Sequence, residues 1–232
     1  MGNVTDANVE AVHNGEYFTN TIGQFAVDYI NDRHDDGNPF FLYQSFTAPH
    51  TPLQNSPDFN DPRIAGLSGD RKTYASMMLT MDKEIGRILD RLDDPDGNGD
   101  TGDSIADNTL VIFINDNGGA DEQSSSPNGA DNGVLRRGKG SPWEGGIRVP
   151  MIIAGAGVAP TAEGTIYDAP GHGVDVLPTA FAAGGGSLGP GDAGIDGVNL
   201  LPFINGADAS NPHDVLVSRH RTQFSVIKGD WK

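Results

Sequence analysis

The sequence predicts an α/β layered fold built on a mainly parallel sheet, and three observations carry that expectation. First, "PFFLYQSF", "NTLVIFIN" and "VPMIIAG" are short, nearly continuous apolar runs, the pattern of strands covered on both faces. Second, a long amphipathic stretch lies between the first two of them. In "KTYASMMLTMDKEIGRILDRL" the residues Tyr74, Met77, Met78, Met81, Ile85, Ile88, Leu89 and Leu92 recur at helical spacing, which makes one apolar stripe. Third, strands and helices alternate rather than cluster by type, and alternation argues for helices layered on a parallel sheet.

In chain order, "YFTNTIGQFAVDYIND" opens with Phe18, Ile22, Phe25, Ala26 and Ile30 on one face, predicting a helix. The strand at residues 39–46 follows, then the helix at about residues 72–92, whose methionines read as core packing. Strands are predicted at 109–115 and 149–155, and these three strands are expected in one sheet flanked by that helix. "GVDVLPTAFAAGG" reads as a short helix stopped by glycines. "DVLVSR" and "FSVIKG" are strand-like and close the sequence. Neither an internal repeat nor a linker divides the 232 residues, so a single domain with a proper core is expected.

Composition narrows the function classes. The net charge is -17, which disfavours nucleic acid and anionic membranes as partners. Cysteine is absent, so this chain has no disulfide, no zinc–thiolate site and no cysteine nucleophile. No run reaches the length of a membrane span, and the polar opening "MGNVTDANVE" is not a signal peptide. In "DDPDGNGDTGDS", Asp94, Asp96, Asn98 and Gly99 match the start of a calcium loop. Ile105 occupies the twelfth position, where that loop needs a bidentate Glu. An acidic surface turn is the better reading, with a second calcium site as the alternative.

Chemistry-bearing residues gather at three other places. In "SFTAPHTPLQ", His50 follows the first strand between Pro49 and Pro52, where open α/β sheets place their ligands. "FINDNGG" ends another strand in Asp116 and Asn117, whose adjacent oxygens suit Ca²⁺ or Mg²⁺, although two ligands make no cage. "LRRGKGSPWEGGIRVP" concentrates Arg136, Arg137, Lys139 and Arg148 among glycines, as an anion-binding loop or a plain basic patch would. Together they describe a cation, an imidazole and a lysine around an anionic ester, and they are expected to share one cleft.

In order and spacing, "PFFLYQSFTAPHTPLQ", "YASMMLTMDKEIGRIL", "NTLVIFINDNGG", "RRGKGSPWEGGIRVP", "GVDVLPTAFAAGG", "IDGVNLLPFINGA" and "FSVIKGDWK" resemble the sulfatase family of the alkaline phosphatase superfamily. The resemblance implies a three-layer α/β/α sandwich and hydrolysis of sulfate esters, arylsulfatase-like, at a calcium site. By the same resemblance Asp116 and Asn117 bind the Ca²⁺, His50 contacts the sulfate and the leaving oxygen, and Lys139 binds the sulfate. The substrate implied is a small sulfate ester or a sulfated saccharide. Members of the family are often periplasmic or secreted.

The departures are as specific. Family members carry an Asp-Asp pair toward the amino terminus, which supplies further calcium ligands. They also carry a C-x-P-S-R or S-x-P-S-R motif whose first residue becomes formylglycine, the nucleophile, and a G-K-W-H-like segment. None occurs here, so formylglycine cannot form within this chain and calcium binding is expected to be weak. Residues 1–232 thus read as a partial sulfatase catalytic domain, without its amino-terminal part and its smaller carboxyl-terminal subdomain. An uncovered sheet edge would favour self-association. Two alternatives stand beside the sulfatase reading: a non-catalytic remnant that binds anionic ligands, and a phosphodiesterase or phosphonate hydrolase of the same superfamily.

Overall fold

A computed structural model of the chain describes residues 15–124, 126–229 and 231–232. The chain forms two compact units, one of residues 1–105 with 128–130, the other of 106–127 with 131–232.

In the first unit, helix α1 (Phe18–Arg33) packs on the longer helix α2 (Gly69–Asp93). Both helices were expected; α1 runs three residues past Ile30, and α2 begins five residues before Tyr74 and ends one after Leu92. Ala26, Val27 and Ile30 bury the inner face of α1, whereas Phe25 of the expected stripe is 58% exposed. Met77 and Met81 of α2 form the local core with Ala48, covered by Phe46, Leu53 and Ile85. The methionines therefore pack as expected, while Leu89 turns outward.

The two helices meet through a polar contact. Glu84 is 3% exposed, accepts from Asn20 Nδ2 at 2.6 Å and pairs with Arg87 at 2.7 Å. Gly23 faces it, and a Cβ there would overlap the Glu84 carboxylate. A buried carboxylate that loses its partners costs more than the contact itself contributes. Gly23→Ala is therefore expected to destabilise the first unit by about 1–3 kcal/mol, read from urea denaturation. An unchanged midpoint would mean that Glu84 moves aside freely.

Residues 39–46, expected as a strand, form no strand pairing among the described residues. Phe41 and Tyr43 are 67% and 78% exposed, while Phe40 and Phe46 turn inward. Phe40 packs edge-on against Tyr29 of α1. The apolar run meets one requirement of a strand, side chains that favour cover. A strand also needs a neighbour for its backbone hydrogen bonds, and none of the described residues supplies one.

The second unit holds two small sheets. Strand β1 (Leu110–Ile114) pairs with β2 (Met151–Gly155), with Leu110 opposite Gly155 and Ile114 opposite Met151. The pairing is antiparallel, which corrects the expected parallel arrangement. Residues of β1 are half-buried and Ile152 of β2 is 58% exposed, so neither strand is covered on both faces. A continuous apolar run reports affinity for cover and leaves strand direction open. The one-turn helix α3 (Glu144–Ile147) precedes β2, and α4 (Val176–Ala183) and the one-turn α5 (Leu201–Ile204) follow it. Strands β3 (Leu216–His220) and β4 (Gln223–Ile227) close the chain as an antiparallel hairpin. Helices and strands are thus both present, in α/β order, with short sheets.

Asp175 anchors this unit and was missed in the sequence. It is fully buried, accepts from the backbone N–H groups of His172 at 2.7 Å and Val198 at 2.9 Å, and faces His213 Nε2 at 2.9 Å. Within "HGVDVLP" an aspartate reads as a helix-start residue. Its long-range partners lie 23 and 38 residues away, beyond any local pattern. Among the described residues no helix is long and apolar enough to cross a membrane.

Candidate active site

The segment after β1 answers why two polar residues are followed by two glycines. Gly118 donates its N–H to Gly146 O at 3.0 Å, and Lys139 donates its N–H to Gly119 O at 3.0 Å. Gly145 donates to Arg136 O at 2.9 Å. These bonds knot three stretches, 116–119, 136–140 and 143–146, backbone against backbone. A Cβ at Gly118 would overlap Gly145 O, one at Gly138 would overlap Gly119 O, and one at Gly145 would overlap Arg137 O. The glycines are present because no side chain fits between the strands of the knot.

Asn132 clamps the same knot. Its Oδ1 accepts from Gly119 N at 2.9 Å, and its Nδ2 donates to Gly119 O at 3.0 Å and Arg137 O at 3.1 Å. The side-chain amide thus pairs with Gly119 as a neighbouring strand would. Sequence reasoning missed it, since "DNG" reads as an ordinary turn. Arg137 has a φ of 61°, an uncommon conformation for a side-chain-bearing residue, held here by its carbonyl's place in the knot. Ser141 Oγ donates to Gly138 O at 2.8 Å and fixes the exit of the Lys139 turn.

The knot brings Asp116, Asn117 and Lys139 into one neighbourhood. Asp116 is exposed; its Oδ1 accepts from Asn117 N at 2.8 Å. Asn117 Nδ2 donates to Gly118 O at 2.8 Å, which leaves its Oδ1 as the free end of the amide. Lys139 is half-buried and has no ion-pair partner among the described residues. Arg148, by contrast, pairs with Glu144 at 3.6 Å.

His50 belongs to the first unit. It is exposed, with cis peptide bonds at Ala48–Pro49 and Thr51–Pro52 on either side. Its Nδ1 lies 2.7 Å from Thr51 O. A carbonyl only accepts, so Nδ1 carries the hydrogen and Nε2 is the atom left for chemistry.

Among the described residues, no group of three or more His, Cys, Asp or Glu side chains converges as a metal site. The oxygens of Asp116 and Asn117 fit a hard cation in kind, as one carboxylate and one amide, but two donors fall short of the number such an ion takes. The acidic loop has the geometry of a turn. Asp94 accepts from Gly97 N at 2.9 Å and Gly99 N at 3.0 Å, and Asp96 accepts from Asn98 N at 2.9 Å.

Comparison with known proteins decides the family. The profile described as Sulfatase matches residues 2–186. The chain belongs to the sulfatase family. Relatives include a sulfatase of Formosa agariphila, 36% identical over 178 residues, covering 75% of this chain and 31% of that protein. Human arylsulfatase D is 37% identical over 194 residues, covering 82% of this chain and 30% of the relative. Rat steryl-sulfatase is 32% identical over 213 residues, covering 90% and 33%. The chain thus spans about a third of the length of these relatives. Among solved structures, Ps i-CgsB superposes with a TM-score of 0.76 at 30% identity, covering 92% of this chain and 45% of that one. The same protein in complex with k-i-k-neocarrahexaose gives 0.75 at 32% identity, covering 91% and 44%.

Proposed function

We propose that this chain carries the metal edge and the sulfate-contacting groups of a sulfuric ester hydrolase, arylsulfatase-like in chemistry. The observation that carries the reading is the glycine knot, which fixes Lys139 beside the Asp116–Asn117 turn in a family member. In this reading Asp116 and Asn117 hold a Ca²⁺, whose chemistry is to withdraw charge from sulfate oxygens. Lys139, without an ion-pair partner among the described residues and on a pinned backbone, binds and orients the sulfate by preorganised charge. His50, with Nδ1–H tied to Thr51 O, leaves Nε2 for general-acid chemistry, the role the family resemblance implies for it. The substrate class is a small sulfate ester or a sulfated saccharide, supported by the saccharide complex of the structural neighbour. The same neighbour supports a place for this chain in a three-layer α/β/α sandwich.

Binding tests the assignment independently of turnover. Lys139→Ala is expected to weaken inorganic sulfate about tenfold in titration calorimetry, since charge-assisted hydrogen bonds are the strong ones. His50→Ala is expected to weaken it less, and unchanged sulfate affinity in that variant would sink its role.

Calcium should bind weakly. One carboxylate and one amide oxygen supply two of the roughly six to eight oxygens that Ca²⁺ takes, and water ligands are equally available in bulk. The expected Kd is about millimolar, abolished in Asp116→Ala. A micromolar or tighter Kd would require ligands beyond this pair.

A further inference from the structure

We infer that Arg136, stacked on Trp143, forms a second anion-binding position beside Lys139, one that engages a further sulfate or carboxylate group of an acidic saccharide. The inference rests on the reading of Lys139 as the sulfate-binding lysine and adds a specificity element to that site. The Arg136 guanidinium carbon sits 3.9 Å from the centroid of the Trp143 ring, and the ring is 40% exposed. Contact at that distance holds the guanidinium over the indole, which limits its rotamers before any ligand arrives.

Its charge is also uncommitted. In a chain of net charge -17, Arg136 has no ion-pair partner among the described residues, whereas Arg148 and Lys232 both pair with Glu144. A cation without an ion-pair partner among the described residues, yet held in place by an aromatic ring, is arranged for an anion from outside. The backbone fixes where the two side chains start. The Arg136 carbonyl accepts from Gly145 N at 2.9 Å, and Lys139 N donates to Gly119 O at 3.0 Å. Both residues therefore issue from the same glycine knot, three positions apart. A guanidinium matches two oxygens of a sulfate or carboxylate at once, while an ammonium binds as a point charge. A ligand with two anionic groups on one scaffold, as in a multiply sulfated sugar, satisfies both.

The test is titration calorimetry on the full chain with inorganic sulfate, a monosulfated disaccharide and a disulfated disaccharide of the same backbone. The parent is expected to bind the disulfated sugar about tenfold more tightly than the monosulfated one, the increment of one charge-assisted bidentate contact. Arg136→Gln should remove that increment and leave inorganic sulfate and thermal stability unchanged. Arg136→Lys should restore part of it, and Trp143→Ala should lose most of it by freeing the guanidinium. A parent that binds both sugars equally overturns the proposal. So does an Arg136→Gln variant that weakens every probe alike and melts earlier, since that is the behaviour of a structural brace. The Lys139 reading fails on a different probe, through unchanged inorganic sulfate affinity in Lys139→Ala. If the Arg136-dependent increment persists there, the second position stands by itself.

Discussion

Purified chain mixed with an aryl sulfate ester is expected to release no sulfate by the formylglycine route, with or without added calcium. That route needs an aldehyde derived from cysteine or serine in its motif, and this sequence has no cysteine and no S-x-P-S-R. Enzymes accelerate reactions by roughly 10⁶-fold or more. A positioned histidine acting as general acid supplies only about 10²–10⁴ of that. Loss of the nucleophile therefore removes most of the acceleration even if Lys139 and His50 stand where proposed. The check is a sulfate-release assay on the parent, His50→Ala and Lys139→Ala. Robust release from the parent that vanishes in both variants would contradict this expectation and demand a nucleophile elsewhere in the chain.

Gly145→Ala is expected to cost about 3 kcal/mol or more of the second unit's stability and to abolish the sulfate binding proposed for Lys139. The new Cβ would overlap the Arg137 carbonyl oxygen and press on Arg136 O. Both are backbone atoms in the knot, so no rotamer change relieves the clash. The 136–140 stretch would have to leave Gly119, taking the Lys139 N–H with it. Gly86→Ala is the control with opposite sign. Gly86 lies inside α2 with open space where its Cβ would go, so alanine should stabilise by about 0.5–1 kcal/mol. Urea denaturation separates the two outcomes, and a Gly145→Ala chain as stable as the parent would dissolve the knot as the organiser of the site.

Family membership was legible in the sequence because it depends on local order. "FINDNGG" and "RRGKGSPWEGGIRVP" hold their chemistry within a few residues. Helices α1 and α2 were equally legible, since a 3.6-residue period needs no distant partner to declare itself. The closing hairpin announced both of its strands for the same kind of reason.

Tertiary structure alone decided everything that depended on a neighbour. Residues 39–46 had the composition of a buried strand, but their pairing depends on backbone partners that composition does not encode. The antiparallel direction of β1 and β2 was likewise invisible, because alternation and apolar runs are unchanged when a strand is reversed. Asn132 and Asp175 looked like turn and cap residues, and became the clamp and anchor of the second unit only through bonds to distant backbone. The glycines of the site gave the clearest division. Their positions were plain in the sequence, but each is required by the carbonyl of another segment pressed against it. Steric demand of that kind arises between segments, so only the folded chain specifies it.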